Sequence, residues 1–161
     1  MPQIAKLTGY PELRRFLTHS LSHLPQYNQK VFRAFLKWST LDEPKARVAL
    51  LPFFGPQLIV RPHQIPGYAR YEGLDFIVIR EDFANQYEAA VMVQVQVQSV
   101  NQLMESKILH EMVHWGYTTR YGRLDPRSPE RGWEFEEEAY GSHLTATSLG
   151  LRDFISISGT L

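Results

Sequence analysis

The chain has 161 residues, 43% of them hydrophobic, which is enough for one domain with its own core and too few for two. Lysine plus arginine and aspartate plus glutamate number 17 each, so no net field draws the protein to nucleic acid or to an anionic membrane. It has no cysteine, so disulfides are excluded and any metal site must be built from histidine and carboxylate.

The opening stretch "MPQIAKLTGYPELRRF" carries no apolar segment of the kind a cleaved secretory signal needs, and no apolar run approaches transmembrane length. The expectation is a protein without membrane insertion, exported, if at all, by a route that needs no cleaved signal. Residues Tyr10 to His23 read as a helix, with Leu13, Phe16, Leu21 and Leu24 near helical spacing and Pro11 in the first turn. A second helix follows Pro25, with Val31, Phe32, Phe35, Leu36 and Trp38 as its apolar stripe.

Five prolines between Pro44 and Pro66 exclude a long helix there. "RVALLPFF" and "PQLIV" read as short strands, the first an edge or bulged one because of Pro52. Leu74 to Arg80, "LDFIVIR", reads as a buried strand. "DFANQYEAA" starts like a helix capped by Asp82. From Val91 to Val97 valine recurs at every second residue, which predicts a strand with one wet face; a helix is the competing reading, since glutamine and methionine are good helix formers. A capping box at Ser99 and Gln102 then starts a helix that runs to about Gly116. A polar loop follows. Ser128 can cap a last helix, with Pro129 at its first position, Glu130 in its first turn and the remainder running toward Gly150.

The chemistry lies in "ILHEMVHWGY". His110 and His114 are four residues apart, so in a helix both imidazoles face one way and can hold one ion. Glu111 is offset by one residue, which suits a general base acting on a water whose pKa zinc lowers to roughly 7. A third ligand is still required. The three-histidine pattern is excluded, because Arg120 stands where its last histidine belongs and Gly116 is out of place for its glycine. That leaves a glutamate from the last helix. In "WEFEEEAYG", Glu136 and Glu137 share the face of Trp133, Tyr140, Leu144 and Thr147, whereas Glu134 and Glu138 turn away.

HExxH followed by a helix bearing a glutamate three residues before a small one resembles the gluzincin metallopeptidases. The resemblance implies Glu136, ahead of Ala139, as the third zinc ligand, and it leaves Tyr140 to polarise a substrate carbonyl. "LHEMVHWG" with "EEEAYG", spanning Leu109 to Ser142, is also similar to metallopeptidase toxin domains of bacterial secretion systems, including those fused to type VI spike proteins. This implies a peptide or protein substrate, a cognate immunity protein or secretion spike as partner, and action in the periplasm of a target cell.

His143, seven residues or about two helical turns beyond Glu136, is a candidate for stabilising an oxyanion. His63 is a loop histidine that could line the cleft, and the pair His19 and His23 reads as a polar helix face. The expectation is an α+β, zincin-like single domain over residues 1–161, with two N-terminal helices on a small mixed sheet. Its strand at Val91–Val97 would pair with an extended substrate. Zinc is held by His110, His114 and Glu136, with Glu111 as base. The competing readings are an intracellular regulatory metallopeptidase, a hydrolase of peptidoglycan stem peptides, and a non-catalytic module in which a fourth ligand, His143, closes the zinc site.

Overall fold

The computed structural model describes residues 7–62, 65–73, 75–126, 130–151 and 154. His63, Leu74, Ser128 and Pro129, all used in the reading above, lie outside them. The architecture is α+β: helices around a three-stranded mixed sheet.

The first helical run begins at α1 (Pro11–Arg15), continues through a π turn at Phe16–Ser20 and a 3-10 turn at Leu21–His23, and ends in α2 (Leu24–Tyr27). Its apolar residues Leu13, Phe16, Leu17, Leu21 and Leu24 are all buried. Asn28 caps α3 (Gln29–Ser39) by accepting the Val31 N–H, and the predicted stripe of Val31, Phe32 and Phe35 faces the core.

The next segment differs from the expected strand. "RVALLPFF" begins inside a helix, α4 (Glu43–Ala49). Asp42 accepts the Lys45 N–H at 2.9 Å and Pro44 sits in the first turn. A carboxylate cap and a proline with helical φ preorganise this end, and together they outweigh the β tendency of the apolar residues behind it. Of the two expected strands here only "PQLIV" forms one, as β1 (Gln57–Arg61). β2 (Ala69–Tyr71) and β3 (Phe76–Arg80) complete a sheet in the order β1-β3-β2. β1 runs parallel to the central β3, and β2 runs antiparallel to it along one edge.

The predicted strand at Val91–Val97 does not exist. α5 (Glu81–Met92) continues into it, and α6 (Val97–Tyr121) starts at its end. Between them Gln94 and Gln96 take left-handed φ values of 57° and 49°. The Val95 N–H closes back on the Ala90 carbonyl at 3.0 Å. A strand needs a partner ladder; these residues satisfy their backbone locally in a tight helix–helix turn, so Val93 and Val95 end up in solvent while Val91 packs against the core. Asp82 is not the cap of α5 either, since the helix starts before it at Glu81.

α6 begins ahead of the expected capping box and passes straight through Gly116. Gly116 is a packing residue, because a Cβ there would lie 2.7 Å from the Ser39 carbonyl of α3. The stop is Gly122, whose φ of 69° suits glycine and whose N–H returns to the Thr118 carbonyl. The last helix, α7 (Arg131–Tyr140), is capped by Glu130 and ends at Gly141, well short of Gly150. α3, α6 and α7 pack on one another, and β2 lies along α6. That places the sheet edge beside the HExxH turns.

Candidate metal centre

α6 carries His110, Glu111 and His114 on consecutive turns, and their burial follows from the helix packing on α7 and β2. The two imidazole centroids are 5.3 Å apart. Both Nε2 atoms point at one carboxylate, Glu130. His110 Nε2 lies 3.1 Å from one of its oxygens, and His114 Nε2 is in contact with the other. One ligand atom from each of the three residues lies within 4.8 Å of the others. Two imidazole nitrogens and one carboxylate oxygen make the donor set that suits catalytic zinc, and three protein ligands leave a coordination position open.

Glu136, which the resemblance implied as the third ligand, is elsewhere. It is buried to 1% exposure, as its helical phase predicted, but it meets the other edge of His110. His110 Nδ1 lies 2.7 Å from Glu136 Oε1, Lys107 Nζ bonds both carboxylate oxygens at 2.9 and 3.0 Å, and the Leu144 N–H donates to Oε2 at 2.8 Å. Burial alone would raise its pKa, but His110 and Lys107 hold it below the usual carboxylate value. An ionised carboxylate only accepts, so Nδ1 holds a proton toward Glu136, and the Nε2 proton, directed at Glu130, is the one a bound metal ion would replace. The geometry therefore groups Glu130, not Glu136, with the two Nε2 atoms. Glu137, on the same predicted face, is exposed.

Glu130 is where it is because it starts α7. Its side chain accepts the Gly132 N–H at 2.7 Å. Arg131 then fixes the turn, with bonds to Asp125 and to the Trp38 carbonyl and its guanidinium 4.6 Å from the Tyr117 ring. Gly132 lies directly on the His110 imidazole, and any Cβ there would run into the ring. The helical phase could not reveal Glu130, since it precedes the helix. The signal available was an acid two residues ahead of a glycine at a helix start.

Glu111 faces the cleft with Oε2 held by the Tyr71 N–H of β2 at 2.6 Å. Burial raises its pKa; His110, His114 and the Tyr71 amide oppose this. For His110, burial disfavours the charged form, yet Glu130 and Glu136 outweigh it and push the pKa up to about 10. The cluster thus draws positive charge to this spot, which fits a cation site.

The cleft above has a volume of about 440 Å³. Pro66 to Tyr71 line it together with Trp133 and His143, whose rings are 5.0 Å apart. His143 is therefore at the cleft. Tyr140 is not: its hydroxyl donates to the buried Glu105 at 2.8 Å, and Tyr27 shares that carboxylate. A role for Tyr140 at a substrate carbonyl is ruled out by this placement, since the ring packs edge-on against Phe135 and turns into the protein. His19 and His23 sit apart, with His23 Nδ1 engaged by the His19 carbonyl. Among the described residues no helix is long and apolar enough to cross a membrane.

Metallopeptidase toxin 3 aligns with residues 7–141, which span every element from α1 to α7. No curated protein and no solved structure matches the chain.

Proposed function

The chain belongs to the metallopeptidase toxin 3 family, and we propose that it hydrolyses peptide bonds with zinc held by His110, His114 and Glu130. The observation that carries this reading is the convergence of both Nε2 atoms and the Glu130 carboxylate at the floor of a cleft, next to Glu111. Zinc in such a set supplies a lowered water pKa and polarises a carbonyl oxygen.

The chain's own residues do the rest. Glu136 fixes the His110 tautomer, and Lys107 fixes Glu136. Glu111, its proton affinity raised by burial, takes a proton from the attacking water and returns it to the leaving amine. His143 lines the same cleft, where rotation of its ring away from Glu137 would offer a donor to the developing oxyanion. An extended substrate would lie along β2, the edge strand that borders the cleft, a role expected of Val91–Val97 from sequence. A closed structural zinc site is not favoured, since the described residues offer three ligands and His143 Nε2 is turned toward Glu137, at 3.9 Å.

The family name supports a toxin; on this reading it leaves its producer, meets its substrate in another cell, and is held off in the producer by an immunity protein. Purified protein should contain stoichiometric zinc. Glu111→Gln should keep the metal and lose peptidase activity. Wild type directed to the periplasm, but not Glu111→Gln, should arrest bacterial growth. A metal-free wild type, or an active Glu111→Gln, sinks the catalytic reading. Toxicity confined to the cytosol sinks the periplasmic one.

A further inference from the structure

The β2–β3 register places Ala69 opposite Ile79, Arg70 opposite Val78 and Tyr71 opposite Ile77. Two bonds fix which of these exchange hydrogen bonds: Arg80 N–H to the Tyr68 carbonyl and Glu72 N–H to the Phe76 carbonyl, both 3.0 Å. In an antiparallel ladder bonded and non-bonded pairs alternate. Tyr68, Arg70 and Glu72 therefore face β3, and the backbones of Ala69 and Tyr71 face the outer edge, where the cleft lies. An outer edge of this kind is what a substrate strand would pair with. One of its donors already has a partner, because the Tyr71 N–H is 2.6 Å from Glu111 Oε2.

We infer that the edge strand is divided in function, resting on the metallopeptidase reading above. The Tyr71 main-chain N–H is a positioning group for the general base, and strand pairing with substrate uses Ala69 and stops short of the Tyr71 donor. Glu111 sits on α6, and among the described residues no side chain bonds its Oε2, which is held by the Tyr71 amide. Without the amide, the carboxylate is free to swing toward His110 Nε2, 3.8 Å from its other oxygen. The amide also aims the base from the same strand that aligns the scissile bond, so the two share one rigid reference.

Proline at an edge-strand position whose N–H does not serve the ladder is tolerated, so the donor can be removed selectively. Tyr71→Ala removes the side chain and keeps the N–H; Tyr71→Pro removes both. Expected against Tyr71→Ala is a kcat loss of about 10²-fold in Tyr71→Pro, the cost typical of a misplaced catalytic group, at unchanged KM and zinc content. Equal kcat in the two variants overturns the inference, and so does a rise in KM alone, which would assign the N–H to substrate. If Tyr71→Pro does not fold, an α-hydroxy acid at position 71 deletes the N–H with the tyrosine side chain kept, and the same outcomes apply.

A second readout needs no turnover. The Tyr71 amide proton should resonate downfield in wild type and move upfield in Glu111→Gln. An unmoved resonance overturns the inference even if the protein cleaves peptides. A moved resonance in a protein that cleaves nothing leaves the contact standing and sinks the peptidase reading alone.

Discussion

Glu130 and Glu136 meet the same imidazole on opposite edges, and their surroundings separate their roles. Glu136 is buried and bonded by Lys107, His110 and Leu144, so it has no freedom to move toward the Nε2 side. Glu130 is about a third exposed and opens on the cleft. Glu136→Gln should therefore weaken zinc binding about 10- to 100-fold, as expected for an orienting partner. Glu130→Ala should weaken it further, and competition with a chromogenic chelator orders the two. The reverse order would return the ligand role to Glu136. Gly132→Ala gives a steric version of the same test. Its methyl has to displace the His110 ring, so bound zinc should fall while the secondary structure seen by circular dichroism stays. The HExxH residues were legible because their chemistry needs only helical spacing within one element. Glu136 was legible as a buried acid for the same reason, and Glu130 was not, because its place depends on how the loop before α7 folds over α6.

At the scale of elements, α6 sets the site, and its register depends on α3. Gly116 lets the two helices approach until the Ser39 carbonyl occupies the space of a Cβ. Gly116→Ala should cost about 1–3 kcal/mol, the usual penalty for overpacking, read as a lowered denaturation midpoint with an unchanged slope. A neutral or stabilising result would mean that the helices part freely. The same glycine explains why the sequence suggested a helix end here: an isolated glycine in a helical pattern signals either a C-cap or a close approach, and only the neighbour decides. The valines from Val91 to Val97 make a parallel case. Period two predicts a strand when a ladder is within reach, but here the sheet ends at β1 and β2, and two left-handed glutamines turn the chain instead. Helices α1 and α3 and the strands β1 and β3 were legible because each carries its own cap or its own apolar period. β2, only Ala69–Tyr71, carries neither and is defined by β3 beside it.

For the whole molecule, zinc would join α6 to the start of α7, so folding and metal binding are linked. At a free zinc concentration a thousand times its Kd, the native state gains about 4 kcal/mol. Chelation should lower the melting temperature of wild type and of Glu111→Gln, and leave Glu130→Ala unaffected. The pH dependence should have opposite signs with and without metal. In the stripped protein the His110 pKa is raised from 6.5 to about 10, chiefly by Glu130 and Glu136 acting against burial. A raised histidine pKa gives stability that is fully present below 6.5 and is lost as pH rises toward 10. Metal binding runs the other way, because His110 must release its proton before Nε2 can coordinate. Zinc affinity should then climb with pH above neutrality, by up to tenfold per unit while one proton is released. The gap in melting temperature between loaded and stripped protein should therefore widen from pH 7 to pH 9. Groups outside the site titrate equally in both samples and cancel in the difference. A gap that narrows over this range would mean that His110 does not exchange its proton for the metal, and would remove it from the ligand set.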